Sequence, residues 1–315
     1  MTKKRVLITG ASGFIGRVAV ERLLEAGYSV RAATRDLCAF PSSIDIATIS
    51  VPIDTVDWKP ILAGVDFVVH VARLVHVADQ SATADTFDSI NRQTTKNLAR
   101  AANEAGVARF VFISSVRAQT GSSANRPVRE TDIPQPTNDY GRSKLAAEEQ
   151  VRTSGVPFTI LRPVAVYGPH SKGNIKTLAN LARTPLPLPV PAFRGRRSLL
   201  GIDNFMSAIL FVLANPAAAN ETYLVADAAP FTVSEIFTML RKARGHRPGL
   251  IHIPASFLRF ALWAVNRLNY WPRLGEDLVV DTAKLQALGW RPAIDTYEGI
   301  AAMMWADSGA NSRST

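Results

Sequence analysis

The sequence predicts an α/β protein: a doubly wound parallel sheet carrying a smaller, mixed C-terminal lobe. Three observations predict it. Short β-rich apolar runs alternate with helical patterns through the first half of the chain. The first run leads through a glycine-rich turn into a helix. Beyond Arg162 prolines crowd into 185–191 and the helical patterns stand apart from one another. Apolar strands separated by helices belong to a sheet covered on both faces.

Residues 6–9 form the first predicted strand, and 14–26 a helix with Val18, Leu23 and Leu24 in helical spacing, stopped by Gly27. Strands are predicted at 30–34 and, weakly, at 49–53. A buried strand follows at 67–71, then a helix over 91–105 that ends at Gly106. Residues 109–114 read as a strand, 140–153 as a helix closed by Gly155, and 158–161 as a strand. In the second half the periodicity predicts helices over 205–214, 233–244, 255–268 and 282–288. No internal repeat is visible.

The chain has 315 residues, 47% of them hydrophobic, enough for a substantial core. Its one cysteine, Cys38, makes no internal disulfide, which points to a reducing compartment, the cytoplasm. We read Cys38 as a packing residue. The apolar run at 6–9 is too short for a signal-peptide core, and no 18-residue apolar stretch predicts a spanning helix. The net charge of +10 includes basic clusters at 194–197 and 241–247. No nucleic-acid motif accompanies them, so a phosphorylated small molecule ranks first as partner, a membrane surface second and nucleic acid last. The five histidines, at 70, 76, 170, 246 and 252, show no pair at one-turn spacing, and no metal site is predicted.

The turn after the first strand, in VLITGASGFIG, carries Gly10, Gly13 and Gly16. Gly10 permits the tight turn, Gly13 close approach to a pyrophosphate, and Gly16 close packing of the helix on the sheet. With Ser12, Phe14 and Ile15 they form a loop at a helix N-terminus, where anions bind. The spacing is G-x-x-G-x-x-G. At the end of the second strand stand Thr34 and Arg35. A carboxylate there would select NAD through the ribose 2′-hydroxyl; Thr34 repels no 2′-phosphate and Arg35 can bind one. The reading favours NADP over NAD, with Asp36 as the acid should the register slip.

Tyr140 and Lys144 lie four apart, on one face of the helix predicted over 140–153. A free phenol ionises near ~10 and is a poor base at neutral pH. A neighbouring ammonium and an oxidised nicotinamide favour the phenolate, which can then take a proton from a sugar hydroxyl. Ser115, 25 residues before Tyr140, ends the strand RFVFISS and can hydrogen-bond the same substrate oxygen.

In order, TGASGFIG at 9–16, VVHVA at 68–72, FISS at 112–115, YGRSK at 140–144, LRPVAVYGP at 161–169, RRSLLGIDN at 196–204 and LGWRP at 288–292 span nearly the whole chain. The set resembles the extended short-chain dehydrogenase/reductases of the nucleotide-sugar epimerase, dehydratase and reductase type. The resemblance implies a Rossmann-type NAD(P)-binding domain over 1–165, to which about 198–226 returns, and a substrate lobe over 166–315. It implies Ser115, Tyr140 and Lys144 as catalytic groups, with Lys144 also on the nicotinamide ribose. Gly10, Gly13 and Gly16 match the family's phosphate loop. Asp54 matches an acid near the adenine, Ala72 the strand end beside the cofactor, and Pro163 a neighbour of the nicotinamide. Arg197 matches an arginine on the nucleotide-sugar phosphates, and Asn174 lies in a substrate-side loop. Three departures concern the sugar. Gln119 stands near a usual tyrosine, Ala165 replaces an asparagine, and Arg73 replaces a small residue.

Val116-Arg117 follow Ser115 where dehydratases carry Asp-Glu, which argues against dehydration. The segments SSVRAQTG, YGRSKLAAEE and RGRRSLLGIDN resemble a subgroup of bacterial surface-polysaccharide enzymes that includes UDP-4-keto-6-deoxy-N-acetylhexosamine reductases and UDP-sugar 4-epimerases. Within that resemblance the Thr34-Arg35 reading favours NADP, and so the reductase of a UDP-4-keto-6-deoxy-N-acetylhexosamine in polysaccharide biosynthesis. A UDP-sugar 4-epimerase with retained NAD is the alternative, and a non-catalytic NADP-binding regulator a remote one. Homodimers through two helices are common among such proteins. The apolar stretch 255–271, with Arg259, Arg267, Trp263 and Trp271, is read as lobe packing or, alternatively, as a weak membrane-surface face.

Overall fold

The structure is a computed structural model. It describes residues 3–35, 40–41, 43–49, 55–71, 92–171, 173–184, 187–189, 193–264, 271 and 275–311. Its centre is a seven-stranded sheet. The strands are β1 (Arg5–Thr9), β2 (Ser29–Thr34), β3 (Asp45–Thr48), β4 (Phe67–His70), β5 (Arg109–Ile113), β6 (Phe158–Pro163) and β10 (Glu221–Val225). Their order is β10-β6-β5-β4-β1-β2-β3, every neighbouring pair parallel. The order reverses between β1 and β4, and their carboxyl ends open a crevice of the kind that binds ligands in such sheets.

Every residue of β4, β5 and β6 is buried, which explains their largely apolar texture. Helices α1 (Phe14–Glu25) and α7 (Ile202–Ala214) cover one face, burying Ile15, Ala19 and Leu23 beside Phe205, Ile209 and Val212. Helices α2 (Trp58–Ile61), α3 (Thr94–Glu104) and α5 (Asp139–Arg152) cover the other, with Leu98, Ala102, Ala147 and Val151 against the sheet. A one-turn helix, α4 (Val116–Gln119), follows β5.

The lobe has its own apolar core. Helices α6 (Asn174–Ala182), α8 (Val233–Lys242) and α11 (Thr296–Asn311) meet through Ala179, Phe237, Leu240, Ile300 and Met303. Two small sheets tie it down. Strands β7 (Ala165–Tyr167) and β9 (Leu199–Gly201) are parallel, while β8 (Arg196–Arg197) and β11 (Phe231–Thr232) are antiparallel. Helices α9 (Ala255–Ala264) and α10 (Ala283–Ala287) complete the described elements. No described helix is long and apolar enough to cross a membrane.

The structure corrects the third strand, expected at 49–53, to Asp45–Thr48. This is an edge strand with exposed ends, so it carries no apolar run for the pattern to catch. Residues 50–53 of the expected strand lie outside the described residues. The sequence pattern does not predict helix α11. Gly299 and the small residues around it blur its period, and its place is set by packing on the lobe core.

Candidate active site

The glycine loop is shaped by backbone sterics. Gly10 has φ +69°, a left-handed turn out of β1 that residues with side chains rarely adopt. A Cβ on Gly16 would lie 2.1 Å from the Gly10 carbonyl oxygen, so only glycine lets α1 start this close to the strand. Gly13 caps α1 without a side-chain hydrogen bond, and no acid stands in the first turn. Ser12 and Gly13 are exposed, Phe14 is half-buried and Ile15 buried. The uncapped amides and the positive helix end therefore face solvent, a cradle fit for a phosphate. Thr34 is buried as the last residue of β2, and Arg35 follows it, exposed. Asp36, Cys38, Asp54, Ala72, Arg73 and His76 lie outside the described residues.

Ser115, two residues past β5, is the N-cap of α4; its Oγ accepts a hydrogen bond from the Arg117 amide at 3.1 Å. Tyr140 is the second residue of α5. The start of that helix is held by Asn138, whose Oδ1 accepts from the Gly141 amide at 2.8 Å. Gly141 is buried, and a Cβ there would lie 2.3 Å from the Arg117 carbonyl oxygen. Tyr140 thus begins a helix seated directly on the turn that Ser115 caps. The Tyr140 Oη is buried and makes no hydrogen bond within the described structure. A buried hydroxyl without a partner is costly, and a substrate oxygen would supply one.

Lys144, one turn on, is buried, with its ammonium 4.3 Å from the centre of the Phe112 ring. His70 stacks against the same ring at 5.6 Å with 23° between planes. His70 packs within its buried strand and is also a tie. Its Nδ1 meets Thr9 Oγ1 at 2.5 Å and its Nε2 meets Thr95 Oγ1 at 3.0 Å, joining the end of β1 to α3. Burial, then the charge of Lys144, pushes its pKa down to about 3, so the ring is neutral.

A buried polar network braces the same elements. Arg162 on β6 donates to Glu148 on α5 from Nε at 2.8 Å and from Nη2 at 2.5 Å. Glu148 Oε1 also accepts from Ser114 Oγ at 2.5 Å, and Arg162 Nη1 donates to Gln119 Oε1. Gln119, a departure at the sequence level, therefore stands in α4 as part of this brace. Bidentate pairing of a buried guanidinium with a carboxylate holds both chains in one geometry.

Arg197 lies on β8, its Nη1 donating to the Ser122 carbonyl at 2.7 Å. Burial, then the nearby Arg117 charge, holds its pKa down to about 10 against the opposing pull of Asp277 and Glu276. Two guanidiniums close enough to repel one another suit a shared anion. Nothing in the sequence paired Arg117 with Arg197; the lobe's fold does. Pro163 is buried at the end of β6 beside Val225. Asn174 is the exposed first residue of α6, and no hydrogen bond ties it to the groups above. Among the described residues no three His, Cys, Asp or Glu side chains gather as a metal site would require.

Against known proteins, the model of the NAD dependent epimerase/dehydratase family matches residues 6–226, more than half of the chain. This chain belongs to that family. The UDP-glucose 4-epimerase of Vibrio cholerae is 30% identical over 320 residues, covering 98% of this chain and 97% of the relative. The N-acetyl-alpha-D-glucosaminyl-diphospho-ditrans,octacis-undecaprenol 4-epimerase of Escherichia coli O157:H7 is 29% identical over 256 residues, 79% of this chain and 75% of the relative. Among solved structures, the UDP-glucose 4-epimerase of Thermus thermophilus in complex with NAD superposes with TM-score 0.74 at 24% identity, over 97% of this chain and 99% of that one. In this epimerase/dehydratase family member the matched stretch holds the glycine loop, Ser115, Tyr140, Lys144 and both arginines.

Proposed function

We propose that this chain is an NAD(P)-dependent oxidoreductase acting at C4 of a nucleotide sugar. The carrying observation is the buried, unpartnered Tyr140 Oη one turn before the buried Lys144 ammonium, on a helix seated against the Ser115 turn. The loop from Gly10 to Gly16 would hold the dinucleotide's pyrophosphate, Thr34 and Arg35 would face its adenosine ribose, and Lys144 and Pro163 would flank its nicotinamide end. Asp54 and Ala72 complete the proposed cofactor set from outside the described residues. When bound, the dinucleotide supplies the hydride acceptor and donor.

Tyr140 takes the proton of the C4 hydroxyl as that carbon is oxidised and returns it on reduction. Ser115 hydrogen-bonds the same oxygen and steadies its changing charge. Lys144 keeps a fixed positive charge beside the phenol. Arg197, with Arg117 near it, grips the sugar's diphosphate, and Asn174 contributes from the substrate side.

Of the two outcomes this machinery allows, 4-epimerisation of a UDP-sugar with retained NAD draws support from the relatives. Net reduction of a UDP-4-keto-6-deoxy-N-acetylhexosamine rests on Thr34-Arg35, which lacks a carboxylate and favours NADP. We place epimerisation first, reversing the order the sequence suggested. The test is to identify any dinucleotide that co-purifies. UDP-glucose and UDP-N-acetylglucosamine are then assayed for C4 epimers, and the 4-keto sugar with NADPH for loss of nicotinamide absorbance. Epimer formation without added cofactor supports the first outcome and NADPH consumption the second. Turnover surviving in Tyr140→Phe would sink the mechanism.

A further inference from the structure

Helix α9 carries Phe257, Phe260 and Trp263, 62%, 62% and 63% exposed. At this spacing each side chain sits about 60° round from the last, so the three fill one arc of about 120°. Phe260 and Trp263 touch, their ring centres 5.6 Å apart. Large aromatics grouped on one exposed face mark an interaction surface. The helix is not adrift. Arg259 stacks on Trp271 at 5.4 Å, and Trp271 packs on Phe193 at 5.8 Å, four residues before Arg197.

The charge around this ridge is one-sided. Residues 236–275 contain seven arginines and lysines and no aspartate or glutamate. Arg241 is buried, donating to the carbonyls of Thr184 and Pro248, and serves the lobe itself. Lys242 and Arg247 are exposed and Arg244 half-buried, and Pro254, at the foot of α9, lies seven positions past Arg247. That distance is at most about 25 Å, so cations and aromatics can meet one surface together.

We propose that the ridge of α9 docks on an anionic lipid bilayer, its aromatics entering the headgroup boundary while Arg244 and Arg247 lie against acidic headgroups. The aromatics supply buried apolar area and the cations supply salt-sensitive attraction. Because α9 is tied through Trp271 and Phe193 to the chain leading to Arg197, docking fixes how the candidate site faces the membrane.

The experiment is co-sedimentation of the full chain with phosphatidylcholine vesicles, with and without phosphatidylglycerol, at low and high salt. Three variants are run beside the wild type: the triple Phe257→Ser/Phe260→Ser/Trp263→Ser, the double Arg244→Glu/Arg247→Glu, and Ile133→Ser as an exposed apolar control elsewhere. The wild type should bind the anionic vesicles, more weakly the neutral ones, and be released by salt. The triple and double variants should each lose at least about tenfold in partitioning, with melting temperatures unchanged, and the control should bind normally. Wild type left in the supernatant overturns the proposal, as does equal binding to both vesicle types or full binding by the triple variant. So does a dimer in size-exclusion chromatography that the triple variant alone breaks while neither form binds vesicles, since the ridge would then cover a second copy.

Discussion

The Lys144 ammonium rests over the ring of Phe112, and Phe112 lies on β5 three residues before Ser115, which caps the turn that follows the strand. One contact therefore sets the helix that carries Tyr140 against the strand that leads to Ser115. A desolvated cation–π contact is worth about 2 kcal/mol. Replacing Phe112 with Leu should cost about 1–3 kcal/mol of stability and lower turnover about tenfold. Lys144→Met, which keeps the stem and drops the charge, should lose turnover entirely. Chemical denaturation and steady-state kinetics, run side by side, check both.

Tyr140→Phe should separate stability from activity. The Tyr140 Oη is buried without a partner, so its removal costs no hydrogen bond. The variant should be as stable as the wild type or more so by up to about 1 kcal/mol, while turnover falls at least about 10²-fold. A variant that is clearly less stable would mean that the hydroxyl is bonded in the apo protein.

Breaking the Glu148–Arg162 pair should be expensive. Both side chains are buried; without Arg162, Glu148 keeps only the partly exposed Arg152, at 3.0 Å, as a cationic partner, and without Glu148 the Arg162 guanidinium is left on the neutral Gln119 amide. Arg162→Met should cost about 3–5 kcal/mol, and the double variant Glu148→Leu/Arg162→Met distinctly less than the sum of the two single changes. A double-mutant cycle on denaturation midpoints measures the coupling; additive losses would contradict it.

His70 makes the fold sensitive to acid. Its folded pKa is about 3 against an ordinary 6.5, so between those values the unfolded chain takes up a proton that the folded chain refuses. Stability contributed by the neutral ring is complete above pH 6.5 and declines as pH falls towards 3, by up to about 1.4 kcal/mol per pH unit. In His70→Gln this component should vanish, so melting temperatures of the two proteins should converge, or cross, as the pH is lowered from 8 to about 4.

Gly141→Ala should damage the site through geometry. The added methyl would collide with the Arg117 carbonyl, and relief requires α5 to lift from α4 and carry Tyr140 away from Ser115. A displacement of about 1 Å can cost 10²-fold in rate. The variant should show that order of loss in kcat with helical circular dichroism preserved.

The alternation of strand and helix was legible because central parallel strands are buried on both faces and mostly apolar, and their helices stop at glycines. Asp45–Thr48 was not, since an edge strand with exposed ends carries no such run. The spacings of Gly10, Gly13 and Gly16, of Tyr140 and Lys144, and of Ser115 after the fifth strand could be read along one line of sequence. His70 and Gln119 could not be valued that way. Each is an ordinary residue until strands far apart in sequence bring Thr9 and Thr95, or Glu148 and Arg162, within hydrogen-bonding distance. The aromatic face of α9 sat in between: its composition was visible, but whether the lobe covered it was not.

Local pattern settled the α/β class and the glycine turn after β1, and it offered the residue types proposed for phosphate binding and proton transfer, because turns, caps and one-turn spacings are properties of neighbouring residues. Packing settled where those groups meet. The close seat of Gly141 on Arg117, the ring beneath Lys144, the pairing of Arg117 with Arg197 and the exposure of Phe257, Phe260 and Trp263 all depend on chain segments 20 or more residues apart coming together. The physical reason is that burial, desolvation and steric contact are set by the whole fold, which periodicity along the chain records only in part.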